Sequence, residues 1–217
     1  MPLMPNLACL IALLTSSAAF AGVLTVTPGT KEIEKVRVST EAKAKVANRV
    51  YSLKLVGAGL RYKKIALFKA DVYVGELLVD APETFAKTEA GALASLANQK
   101  AAAIRMTFLR DVEGEKVSGS FKDGLEENKA PLDSENVKAF LEAVRTGGES
   151  RKGSTLVVIG EKLSNGKEAV SWETGSGKVT TITGDAGFMN TIFSIWLGKI
   201  DDSGLENLRD EILGLKN

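Results

Sequence analysis

The stretch STLVVIGEKLSNGKEAVSWE, residues 154–173, carries two runs rich in β-branched residues on either side of Asn165-Gly166. Asn-Gly fits a two-residue turn that needs positive φ at both central positions, so the pair is a strong short-range hairpin signal. The spacing predicts strands over 154–163 and 167–173, with a third over 178–183, forming an antiparallel meander. Upstream, Val50 to Leu55 places Tyr51, Leu53 and Leu55 on one side and Ser52 and Lys54 on the other. After Gly57-Ala58-Gly59 a run from Ile65 to Val79 is again rich in β-branched and aromatic residues, and Ala101 to Leu109 is a further strand candidate.

Helical periodicity fills the remaining segments. Residues 82–98 are Ala-rich, open on Pro82 and contain Gly91 as a possible break. Over 115–128 the spacing puts Val117, Phe121, Leu125 and Asn128 on one face, an apolar stripe ending in an amide. Over 133–145 it turns Val137, Phe140, Leu141 and Val144 inward, with Gly147-Gly148 beyond the end. Two closing helices are expected over 186–197 and 203–213, the second opened by a Ser203-x-x-Glu206 capping box. Helices that gather between and after strand pairs give an α+β class, an antiparallel sheet layered with helices.

Residues 1–21 read as a secretory signal peptide: an apolar run from Leu7 to Leu14, small polar residues, and Ala19-Phe20-Ala21 as the cleavage site. The run is too short to span a bilayer, so no permanent membrane anchor is expected, and the localisation is periplasmic or secreted. Residues 22–48 are polar with little periodicity and are taken as an N-terminal extension, with Glu41 to Ala47 a weak helical or linker segment. Residues 49–217 form the folded domain. The chain has no histidine, and its one cysteine, Cys9, lies in the leader. The mature chain therefore offers neither thiolate nor imidazole, and no metal or cofactor is implied. A net charge of +1 without a dense basic run leaves no footprint for nucleic acid.

Two phosphate-loop patterns fail on mechanism. Gly57-x-Gly59 lacks a third glycine at Tyr62 and does not open a helix, and Gly160 to Lys167 lacks a hydroxyl after Lys167 and sits in the hairpin.

Three features in order carry a resemblance. LVGAGLR over 55–61 followed by LFKADVYVGEL over 67–77, the Phe121/Asn128 pair seven residues apart, and FSIWLG over 193–198 with Leu205 and Ile212 to Gly214 resemble the chalcone isomerase superfamily, bacterial exported branch. The resemblance covers about residues 51–215. It implies a chalcone-isomerase-like open-faced β-sandwich with a ligand cleft between sheet and helices.

The plant enzymes of that superfamily are isomerases, intramolecular lyases that cyclise a hydroxychalcone by adding a phenolate to an enone. The reaction needs a cation, hydroxyl donors and an apolar cleft. By resemblance Arg61 stands at the catalytic arginine and Asn128 at the cleft asparagine, whereas Phe68, Phe121 and Ile195 replace hydroxyl residues. Losing one oxyanion donor costs about 2.7–4 kcal/mol of transition-state stabilisation, so three losses argue against efficient cyclisation. Tyr73 is a candidate ligand hydroxyl. The superfamily also contains fatty-acid binders, and the expectation is a non-catalytic binder of a small apolar or amphipathic anion at Arg61, Phe68, Tyr73, Phe121, Asn128 and Ile195. A cyclising enzyme, with Arg61 catalytic, and a ligand-free envelope accessory protein are the alternatives.

Overall fold

The computed structural model describes residues 22–66 and 68–216; the expected signal peptide lies outside them. Eight strands follow one another in a single antiparallel sheet in sequence order. They are β1 (Leu24–Ile33), β2 (Val36–Val46), β3 (Arg49–Ile65), β4 (Phe68–Val79), β5 (Ala101–Phe108), β6 (Thr155–Lys162), β7 (Glu168–Glu173) and β8 (Val179–Gly184). Five helices join them: α1 (Glu89–Ser95), α2 (Gly114–Glu127), α3 (Glu135–Arg145), α4 (Phe188–Leu197) and α5 (Ser203–Leu213). The α+β reading and the meander around Asn165-Gly166 hold.

All five helices lie on one face of the sheet. There Leu77, Ile104, Met106, Val158 and Trp172 of the strands pack with Phe121, Phe140, Phe193, Trp196 and Leu208 of the helices in the main core. The inward positions of α2 and α3 are Val117, Phe121, Leu125 and Val137, Phe140, Val144, at the helical spacing that the sequence carries.

The segment taken as an N-terminal extension is instead the first two strands, and Glu41 to Ala47 is strand rather than helix or linker. Ala42, Ala44 and Val46 are buried at period two between exposed Glu41, Lys43 and Lys45. Alanine and lysine favour helix intrinsically, and burial of one face of the strand overrides that preference. Their small side chains pack on Leu53, Leu78, Ala103, Val157 and Ile159, so the first strands curl over the sheet's second face. Buried carboxylates hold the curl in place. Glu161 accepts two hydrogen bonds from Arg49 at 2.7 Å each and one from Tyr51 at 2.9 Å, while Glu76 pairs with Arg105 and accepts from the Ser39 amide at 2.9 Å.

Three boundaries differ from expectation. The expected 82–98 helix is a 3₁₀ turn (Pro82–Thr84), an extended break and the short α1, because Thr88 caps the helix through the Gly91 amide. The run from Ile65 to Val79 is divided by a turn at Ala66, with Ile65 and Phe68 paired across it. The glycines at 57 and 59 do not end a strand; β3 runs through them.

Those glycines mark where α5 lies. β2 pairs only with Arg49 to Lys54, so the second half of β3 is a sheet edge. An uncovered edge invites pairing with other chains, and here α5 covers it. Its Glu211 accepts the Leu60 amide at 2.7 Å and its Asn207 donates to the Leu60 carbonyl at 3.2 Å. The helix comes so close that a Cβ on Gly57 would stand 2.0 Å from the Ile212 carbonyl oxygen, and one on Gly59 2.6 Å from Glu211 Cβ. Gly57→Ala should therefore displace α5 and cost about 3 kcal/mol or more, measured as a lowered urea midpoint with an unchanged slope.

Candidate functional site

The edge half of β3 carries Arg61, whose cross-strand partner on β4 is Tyr73. Beyond this pair the register slips: Tyr62 opposes Asp71, leaving Val72 as the extra residue of a β-bulge. A bulge re-aims side chains, and here both Val72 and Tyr73 line one cavity. This cavity encloses about 600 Å³ between the β3–β4 end of the sheet, α2, and the facing ends of α4 and α5. Its apolar walls include Phe108, Val112, Val117, Phe121, Ile195 and Leu205. A second hollow of about 210 Å³ shares Arg61, Ser120, Ile195 and Leu205 and ends at Lys199 to Asp202. Arg61 thus stands where the two meet.

Arg61 is 5% exposed. Its Nη1 is buried 3.0 Å from Asp202 Oδ1, yet no N–H of Nη1 is directed at an acceptor. The contact is an ion pair that leaves donor capacity unused. Asp202 is heavily engaged otherwise: Oδ1 caps α5 through the Gly204 and Leu205 amides at 2.9 and 3.1 Å, and Oδ2 accepts Lys63 Nζ at 2.7 Å. Burial alone would raise its pKa. The Lys63 hydrogen bond, the adjacent Arg61 guanidinium and the Leu205 amide outweigh that and hold the carboxyl well below the usual carboxylate range. Two cations against one anion leave the Arg61, Lys63 and Asp202 cluster with one net positive charge, and Asp123 lines both hollows nearby.

Tyr73 is buried, and its phenolic oxygen accepts a hydrogen bond from Trp196 Nε1 at 3.1 Å. Burial raises its pKa, the Arg61 charge and the Trp196 bond pulling only partly the other way, so the phenol keeps its proton. Among the described residues that proton has no acceptor. Chemically, a cation and a phenol donor beside an apolar hollow complement a carboxylate or other small oxyanion with an apolar body.

Four of the six expected residues meet here: Arg61, Tyr73, Phe121 and Ile195 line the cavity. Phe121 is also a core residue, edge-on to Trp196 at 5.1 Å. The other two do not belong to the site. Phe68 sits at the β3–β4 hairpin tip, 78% exposed, because the turn falls just before it and β4 begins there. Asn128 ends α2 as a cap, donating to the Gly124 and Lys199 carbonyls at 2.8 and 2.9 Å and accepting the Lys199 amide at 2.8 Å. Its amide is consumed in tying α2 to the end of α4. Two residues were missed. Asp202, not Ser203, caps α5, and an aspartate directly before a helix was the available signal. Ser120, beside Phe121, brings a hydroxyl to both hollows.

The family model for chalcone isomerase-like proteins matches residues 30–214. The chain belongs to the chalcone isomerase-like family. That match takes in the last four residues of β1 and all of β2. A search among curated proteins found no match. Among solved structures, the fold is similar to the crystal structure of an Arabidopsis thaliana fatty-acid binding protein, with 15% identity, a TM-score of 0.58, and 86% of this chain and 96% of that one covered. At that identity the likeness is one of fold, the open-faced antiparallel sheet layered with helices.

The depressed Asp202 carboxyl makes stability depend on acid. A carboxylate whose folded pKa lies below its unfolded value, 3.8 here, contributes stability above that value and loses it as pH falls toward the folded pKa. Asp202→Asn keeps a capping oxygen but removes the charge that Arg61 and Lys63 share, and should lower stability at neutral pH by about 1.5–3 kcal/mol. The gap between variant and wild type should be full at pH 7 and narrow progressively as pH falls below about 4, as urea melts across that range would record.

Proposed function

We propose that this chalcone isomerase-like protein is an exported, non-catalytic binder of a small apolar acid such as a fatty acid. The observation that carries the reading is the Arg61 guanidinium, ion-paired to Asp202 through Nη1 and lining an apolar hollow of about 600 Å³. Hollows of roughly 300–1,000 Å³ with a few convergent polar groups suit small organic ligands. The carboxylate sits between Arg61 and the Tyr73 hydroxyl, where the cluster's one surplus positive charge is balanced. The tail runs along Phe108, Val117 and Phe121. The fold it shares with a fatty-acid binding protein of Arabidopsis thaliana is consistent with this use. Binding is favoured over cyclisation because Phe121 and Ile195 put hydrocarbon where an enolate would need donors.

Export has its own support. Removal of residues 1–21 would leave Gly22 as a free ammonium, and Gly22 lies against Glu173: a Cβ there would stand 2.4 Å from Glu173 Oε1. That carboxyl, 7% exposed, accepts the Val23 amide at 3.2 Å, and burial without a cation partner among the described residues raises its pKa. An ammonium at Gly22 supplies the missing charge.

Isothermal titration of the delipidated protein with laurate tests the binding site. Arg61→Ala should weaken affinity at least tenfold and Tyr73→Phe by about fivefold to tenfold, with circular dichroism unchanged. Equal affinity in the Arg61 variant would refute the site. For export, the intact mass of protein recovered from a cell envelope fraction should begin at Gly22. A chain with that free amine should melt roughly 2–4 °C above its N-acetylated form, for a pair worth about 1 kcal/mol, and the difference should vanish in Glu173→Gln.

A further inference from the structure

The other tight turns of the sheet are built from polar or small residues: Glu34-Lys35, Ala47-Asn48, Asn165-Gly166 and Gly175-Ser176-Gly177. The β3–β4 turn departs from that pattern. Its sequence is Lys63-Lys64-Ile65-Ala66-Leu67-Phe68-Lys69, four apolar residues between lysines. Ala66 adopts φ of 53°, a left-handed conformation that asparagine or glycine would take more readily, so apolar character is kept there at a conformational cost. Ile65 and Phe68 face each other across the turn at 58% and 78% exposure.

Isolated exposed apolar side chains are ordinary on protein surfaces. Here two adjoin, a ring of cations surrounds them, and they stand beside a ligand cavity. Lys63, Lys64 and Lys69 are all exposed; Lys63 is paired with Asp202, Lys69 Nζ stands 4.4 Å over the Tyr62 ring, and Lys64 takes part in no ion pair among the described residues. Lys63 and Ile65 also line the cavity headed by Arg61, whose wall further from the tip carries Arg110 and Lys116 together with Asp111, Glu113, Asp123 and Glu149, so the lysine excess belongs to the hairpin tip. Asp71 is the acidic residue of the hairpin end, so lysine predominates at the tip.

We propose that this hairpin tip is a docking surface for a bilayer rich in anionic phospholipid. Ile65 and Phe68 enter the interface, where apolar side chains flanked by lysine partition well, and the lysines meet the headgroups. Among the described residues no helix is long and apolar enough to cross a membrane; the proposed association is through the hairpin tip and is peripheral and reversible. Docking turns the cavity mouth toward the acyl layer, and an acid can pass between bilayer and protein without crossing bulk water. The inference rests on the binder reading for the purpose of docking, but not for the docking itself.

Vesicle sedimentation decides it. Wild-type protein should co-sediment with phosphatidylcholine vesicles containing about one-third phosphatidylglycerol, release as salt is raised, and bind pure phosphatidylcholine vesicles far more weakly. Phe68→Ser with Lys64→Glu should reduce partitioning at least tenfold, while laurate affinity without vesicles stays unchanged, since neither residue lines the cavity. Absence of wild-type association, or equal association of wild type and double variant, overturns the docking surface. Vesicle association with no laurate binding supports the docking surface and overturns the binder reading alone.

Discussion

The close seating of α5 on the edge half of β3 is the constraint on which the rest depends. Carbonyls of a helix can approach a strand to the distances seen at Gly57 and Gly59 only where the strand carries no Cβ. That approach covers a sheet edge, satisfies the Leu60 peptide with Glu211 and Asn207, and fixes the start of the helix at Asp202. Because Asp202 caps α5 and also faces Arg61 and Lys63, one carboxylate couples helix position to the charge at the head of the cavity. A shift in the helix would release both.

The electrostatics follow from burial. An arginine at 5% exposure without an anion would be costly, and Asp202 reduces that cost without using up the donors of Arg61. Tyr73 is held similarly: the Trp196 N–H fills its lone pair and leaves its proton directed elsewhere. Both polar groups are thus fixed in place, and in the proposed function that preorganisation lowers the ordering cost of binding. Around them the β-bulge at Val72 opens the sheet end, and α2 supplies an apolar roof.

Much of this was legible in the chain. The Asn165-Gly166 hairpin, the inward faces of α2 and α3, and the placement of Arg61 and Tyr73 on neighbouring strands could all be read from periodicity and resemblance. What escaped has physical causes. Alternating Ala and Lys in β2 carries helical propensity, and its strand state comes from packing on residues far along the chain, such as Val157 and Ile159. The glycines of β3 suggested a loop, because nothing local says that a helix 150 residues later will need the room. Phe68 and Asn128 were placed by alignment with a family position, but a turn one residue away exposes the first and a cap absorbs the second.

The central claim is that Arg61 grips an ionised carboxylate inside the cavity. The most direct measurement is a carbon-13 NMR titration of carboxyl-labelled laurate bound to the protein. A carboxylate held by a guanidinium resists protonation, so its bound resonance should stay at the ionised position from pH 7 down to about pH 4. It should lose that resistance in Arg61→Lys, which keeps a charge but not the paired N–H geometry. A bound resonance that titrates like free laurate, or one indifferent to the Arg61 substitution, would contradict the account.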